Sequence, residues 1–202
     1  MGYDPEIRRR RSIRLQGYGY AGDGAYFVTV CVQGRECLFG EVAAGAMVLN
    51  DAGRMVEAAW RDMPVRFPHM MNHGFIIMPN HLHGIIVLTD RRGEPRVRPV
   101  DDHKDQGAPQ NQGDHKDQGD HKDRPYGTTD DSLGRIIQAF KSMTTNAYIR
   151  GVKQSDWSPF PGRLWQRNYY ERIVRNGAEL AATHEYIAAN PANWAEDEEY
   201  AP

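Results

Sequence analysis

Cysteine is scarce in this chain: Cys31 and Cys37 are the only two in 202 residues. They form neither a CxxC pair nor a disulfide framework, so they read as small core residues of a protein suited to a reducing cytosol. Long apolar runs are missing as well. No stretch approaches the roughly 20 residues that span a bilayer, and the polar, arginine-rich opening does not read as a signal peptide, so no membrane partner is expected. Net charge is also small, −2. That balance speaks against a nucleic-acid partner until its distribution is read. Residues 101–131 hold nine Asp against four Lys or Arg, and the remainder carries 21 basic and 18 acidic residues. With the acidic close "AEDEEYAP" set aside too, the body of the chain is mildly basic.

What is present divides around a repeat. "DHKDQGAPQNQG", "DHKDQG" and "DHKD" run through residues 102–123 with almost no apolar side chain. Such a segment cannot bury enough surface to offset its ordering entropy. It reads as a disordered loop over 101–127, and its His103, His115 and His121 are assigned no function. The division is then a basic arm at 1–24, one domain over 25–195 interrupted by that loop, and an acidic tail at 196–202.

Within the domain, "AYFVTVCV" (25–32) is rich in β-branched and aromatic residues and predicts a strand. A helix follows Asn50 or Asp51 as cap, with Met55, Val56, Ala59, Trp60 and Met63 at helical spacing and Pro64 as its stop. "HGFIIMP" and "HGIIVLT" read as two strands joined at a Pro-Asn turn. Beyond the repeat, Asp130 or Asp131 caps a helix with Leu133, Ile136, Ile137, Phe140 and Met143 on one stripe. "LWQRNYYERIV" is extended, and Asn176 with Glu179 resembles a capping box for a last helix that Pro191 ends. Strand, helix, strand, strand, helix, extended segment, helix is not regular βα alternation. It predicts an α+β fold, a small antiparallel sheet with helices packed on it.

Chemistry enters at "MPNHLHG" (78–84). Residues two apart on a strand share a face, so His81 and His83 project side by side and can chelate one divalent metal. A third alternating histidine would suit phosphate chemistry of the histidine-triad kind, but that position is Ile85, and neither cysteine is spaced for a closed zinc site. Two histidines, one oxygen ligand and vacant positions describe an open Lewis-acid site for a phosphodiester. The last helix offers the rest. Tyr186 and Asn190 are i and i+4, so a phenol and an amide share one patch, while His184 falls with Leu180 and Ile187 on the core stripe. Tyr169 and Tyr170 are rival nucleophiles in the extended segment.

"FIIMPNHLHGIIVL", "QAFKSMTTNAYI", "LWQRNYYERIVRN" and "EYIAANPANW" occur here in this order. The chain thereby resembles the REP-associated tyrosine transposases, which are single-tyrosine nucleases of the His-hydrophobic-His class. The stretch "RRSIRLQGYGYAGDGAYFVTVCVQGRECLFGEV" resembles that family's N-terminal segment. The resemblance implies a ferredoxin-like sheet with the histidines on a central strand. It implies Mg²⁺ or Mn²⁺ on His81 and His83, Tyr186 as nucleophile and Asn190 as a metal-contacting amide. It implies cleavage of single-stranded DNA at or near hairpins through a 5′-phosphotyrosine, by a monomer or homodimer in the bacterial cytoplasm, associated with the nucleoid. DNA contacts are expected from Arg8, Arg9, Arg10, Arg11, Arg14, Lys141 and Arg167. Two other readings share the same residues: a hairpin-binding protein without turnover, and a metal-dependent phosphodiesterase using activated water.

Overall fold

Strand β1 (Gly24–Cys31) is buried along six of its eight residues, because both faces of the sheet around it are covered. The computed structural model describes residues 24–89, 132–197 and 199–200. The arginines expected at 8–14, the cap candidates Asp130 and Asp131, and the repeat lie outside the described residues. Four strands form one antiparallel sheet in the order β4-β5-β1-β6, with β4 over Met70–Ile77, β5 over His81–Leu88 and β6 over Tyr170–Val174. Helix α1 (Asp51–Arg61) connects β1 to β4, and α3 (Leu133–Gln154) connects β5 to β6. This is the split βαββαβ pattern of ferredoxin-like folds, so the expected α+β architecture is the one found. Helix α4 (Gly177–Ala189) is an addition after the last strand. No helix among the described residues is long and apolar enough to cross a membrane.

The period-2 rule sorts the side chains. Tyr26, Val28 and Val30 of β1, with Leu82, Ile86 and Leu88 of β5, form one core with Val56 and Trp60 of α1 and Ile136, Ile137 and Phe140 of α3. The alternate residues Phe27, Ile85 and Val174 face α4 and pack on Ile187. Gly84, in the histidine motif, belongs to the first face. A Cβ there would lie 2.6 Å from Trp60 Cζ2, so the missing side chain lets α1 approach the strand.

Local details refine the expected boundaries. Asn50 is the cap of α1, its side chain accepting from Gly53 N at 2.8 Å. The helix ends at Arg61, before Pro64, which sits in the first turn of a short helix α2 (Met63–Arg66). Ser132 caps α3, accepting from Arg135 N. The α3 stripe turns polar at buried Thr144, whose hydroxyl accepts from Trp165 Nε1 at 2.8 Å. A hairpin of β2 (Gly40–Ala43) and β3 (Ala46–Leu49) has no counterpart in the sequence reading. Its turn puts Ala44 and Gly45 at φ 51° and 75°. Asn-Gly or Asp-Gly would announce such a turn, and alanine conceals it. Asn176 does cap α4, accepting from Glu179 N, while Glu179 accepts from Arg175 N, one residue before the cap.

Candidate active site

His81 and His83 open strand β5 opposite Cys31 and Thr29 of β1, on the α4 face of the sheet. Both are buried, at 0 % and 3 % exposure. Each ring is held through Nδ1. Asn80 Oδ1 lies 2.9 Å from His81 Nδ1, and Thr29 Oγ1 lies 2.9 Å from His83 Nδ1. Asn80 is itself fixed by donating to the carbonyls of Arg35 and Glu199. These outer contacts leave both Nε2 atoms aimed at one point, 3.0 Å apart. With protons on both Nδ1 atoms, two lone pairs face each other across that gap, and a cation between them relieves the repulsion. Burial, then the neighbouring His83 and Arg35, lowers the His81 pKa to about 3 against an opposing pull from Asp197, so the imidazole stays neutral and able to ligate.

The tail supplies the next group. Pro191 ends α4, a single 3₁₀ turn over Trp194–Glu196 reverses the chain, and Asp197 returns to the histidines. Ligand atoms of His81, His83 and Asp197 all lie within 4.8 Å of one another. Asp197 Oδ1 accepts from Glu199 N at 2.7 Å, while Oδ2 accepts from Asn190 Nδ2 at 2.8 Å and lies 3.8 Å from His83 Nε2. Burial raises the Asp197 pKa, but His83, the Glu199 N–H and Asn190 outweigh it and hold the carboxyl well below its usual range. The tail is strapped down by Arg35 on Glu199 at 3.1 Å, and Trp194 lies beside His81 and meets Tyr200 in a T-shaped contact. Residues 197, 199 and 200 thus pack on the domain, where the sequence suggested only an acidic appendage.

Asn190 completes the cluster. Its amide nitrogen serves Asp197, and its Oδ1 is buried with no hydrogen-bond partner. An orphaned buried carbonyl beside two imidazoles and a carboxylate is a donor set that fits a divalent cation, with imidazoles beside the hard oxygens. Tyr186, one turn earlier on α4, directs its hydroxyl to the same place. It lies 3.4 Å from His83 Nε2 and 3.5 Å from Asp197 Oδ2. The Tyr186 ring is 48 % exposed and stands edge-on to Phe27, which stacks on His83 at 5.3 Å. A cleft of about 610 Å³ opens over these side chains.

The structure therefore brings together His81, His83, Tyr186 and Asn190, and adds Asp197. Tyr170 lies on β6 at the far side of the same cleft, and Tyr169 packs under Lys141. Lys141, one of the residues expected to contact DNA, donates to the carbonyls of Gln166 and Asn168, both at 2.9 Å. Burial lowers its pKa to about 8. Arg167 is exposed. His184 is not in the apolar stripe: Thr183 and Ile187 are the buried residues of α4, and His184 Nε2 pairs with His73 Nδ1 at 2.9 Å. It lies against Gly74, whose φ of 156° accompanies a bulge in β4.

No family model matches the chain. It is 34 % identical over 198 residues to an uncharacterized protein of Haemophilus influenzae, covering 98 % of this chain and 97 % of that one. Among solved structures it is similar to a REP-associated tyrosine transposase bound to a REP hairpin, with 16 % identity and a TM-score of 0.53 over 90 % of this chain and 74 % of that chain. That likeness establishes a shared fold. A Deinococcus radiodurans crystal structure described as a transposase candidate is similar at 14 % identity and a TM-score of 0.43, over 87 % of this chain and 96 % of that chain.

Proposed function

The chain belongs to one family with the Haemophilus influenzae protein, and we propose that it is a metal-dependent enzyme that cuts and rejoins single-stranded DNA through Tyr186. The observation that carries this reading is the phenol hydroxyl 3.4–3.5 Å from a buried imidazole and a carboxylate, at the edge of a donor set with an unsatisfied amide oxygen. The likeness to a tyrosine transposase holding a DNA hairpin supports DNA of that kind as substrate.

His81, His83, Asp197 and Asn190 Oδ1 would hold Mg²⁺ or Mn²⁺, whose chemistry is Lewis-acid polarisation of a phosphodiester. The residues of the chain do the rest. Thr29 and Asn80 fix the two rings, so the ligand geometry is set before DNA arrives. Helix α4 presents Tyr186 Oη to the phosphorus while Asp197 Oδ2 is the nearest anionic acceptor for its proton. The Tyr–O–P bond forms as the P–O3′ bond breaks, and the leaving oxygen takes a proton to become a free 3′-OH. Phosphodiester is exchanged for phosphotyrosine, so the reverse attack rejoins strands without an added energy source.

Incubation with 5′-end-labelled and 3′-end-labelled hairpin strands and Mn²⁺ tests this directly. The expected product is a denaturation-resistant protein–DNA adduct carrying the 3′ label, lost in Tyr186→Phe. An adduct that persists in that variant would overturn the nucleophile, and product release with no adduct in the wild type would favour activated water.

A further inference from the structure

Strand register lays the side chains of the α4 face in rows. One row runs Ile76, His83, Thr29, Tyr170 across β4, β5, β1 and β6, and the next runs Ile85, Phe27, Arg172. Neighbouring strands lie roughly 4.8 Å apart. Tyr170 therefore stands about two strand spacings from His83, on the order of 10 Å, along a line that begins at the candidate metal site.

Tyr170 is 46 % exposed, nearly as open as Tyr186. Both rings contact Phe27 in T-shaped geometry, at 6.5 and 5.8 Å between centroids. Phe27 is 7 % exposed and forms the floor between them. The Arg172 guanidinium lies 5.9 Å over the Phe27 ring and donates to Thr183 Oγ1 at 3.1 Å, so α4 holds the cation at the rim. The roughly 610 Å³ cleft includes all four groups together with His83. Among the described residues Tyr170 has one aromatic neighbour, Phe27, in a T-shaped contact, and nearly half of its surface stays exposed. An exposed aromatic ring in one cleft with a guanidinium held by a hydrogen bond is the local chemistry that takes a nucleobase and its phosphate.

We propose that Tyr170 is a stacking platform for the base of the nucleotide next to the phosphodiester at Tyr186, with Arg172 engaging that nucleotide's phosphate. The assignment rests on the DNA reading of the site. It makes Tyr170 a binding residue and not a second nucleophile, and it gives β6 a part in setting where the strand lies.

The test is an abasic scan. Hairpin strands carrying a single abasic position at each site around the cleavage point are bound to wild type, Tyr170→Ala, Tyr170→Trp and Tyr170→Leu in Mn²⁺. Affinity is read by fluorescence anisotropy, and cleavage is read separately at saturating DNA. One abasic position should weaken wild-type binding roughly ten- to a hundredfold. Tyr170→Ala should show that loss on the intact strand and little further loss at the same abasic position, while Tyr170→Trp retains binding. Tyr170→Leu keeps apolar bulk without a π face and reads the same loss should the alanine variant fail to fold. Wild-type affinity in Tyr170→Leu or Tyr170→Ala at every position, or losses that simply add, would overturn the platform while leaving DNA cleavage standing. A wild-type protein that binds no strand of the series would overturn both.

Discussion

The two faces of the sheet differ in what they ask of a residue. The α1–α3 face is mostly apolar packing, with Tyr26, Val28, Trp60, Ile86 and Phe140 all at 0 % exposure. The α4 face has a small apolar cluster, Phe27, Ile85, Val174 and Ile187, beside a buried polar one of His81, His83, Thr29 and Asn190. The first face can be dense because nothing must enter it. The second encloses a donor set that could hold a cation, with the buried Asn190 Oδ1 lacking a hydrogen-bond partner. The same two strands serve both, since alternate residues of β1 and β5 point to opposite faces. Folding free energy and chemistry are thereby separated by one residue of register.

Paired substitutions sharpen that contrast. Tyr186→Phe should abolish adduct formation while shifting unfolding free energy by no more than about 0.5 kcal/mol, because the hydroxyl sits at an open cleft. Trp60→Ala should do the reverse, costing about 3–5 kcal/mol in denaturant unfolding. The metal-linked effect comes next. Mn²⁺ at a hundredfold excess over its dissociation constant should stabilise the wild type by about 2.7 kcal/mol, reversed by chelator. His83→Asn should remove that increment, and an equal thermal shift in His83→Asn would separate metal binding from the histidines. A pH-linked effect lies away from the cleft, at Lys141. Its folded pKa, about 8, is below the ordinary lysine value, so the unfolded chain binds the extra proton between about pH 8 and 10.5. Stability from this group therefore rises with pH across that window, by at most about 1.4 kcal/mol per pH unit, and its burial cost is fully present below pH 8. Lys141→Met should flatten that slope relative to the wild type in urea titrations from pH 7 to pH 10.

Legibility in the sequence followed the range of the physical signal. Asn50 and Asn176 were readable as caps because capping spans three or four residues. The histidine pair was readable as one face because a strand has period 2, and Tyr186 with Asn190 because a helix turn has period 3.6. The β2–β3 hairpin escaped because Ala44 takes a conformation that its residue type does not advertise. The surroundings of Lys141 were not legible because a polar helix face says nothing about which loop crosses it, and here two carbonyls accept hydrogen bonds from its ammonium. Asp197 was hidden most completely. In "AEDEEY" it is one acid among four, and only the turn after Pro191 distinguishes it.

The sequence by itself determined the α+β fold, the strand that carries His81 and His83 and the helix that carries Tyr186 and Asn190, since each follows from periodicity and capping within one element. Only the tertiary structure decided that α4 covers the histidine face, that the tail returns Asp197 to it, and that Tyr170 looks into the same cleft from β6. Those are distances between segments as much as a hundred residues apart, and chain-local patterns carry no information about them. They are fixed by which faces must be buried together.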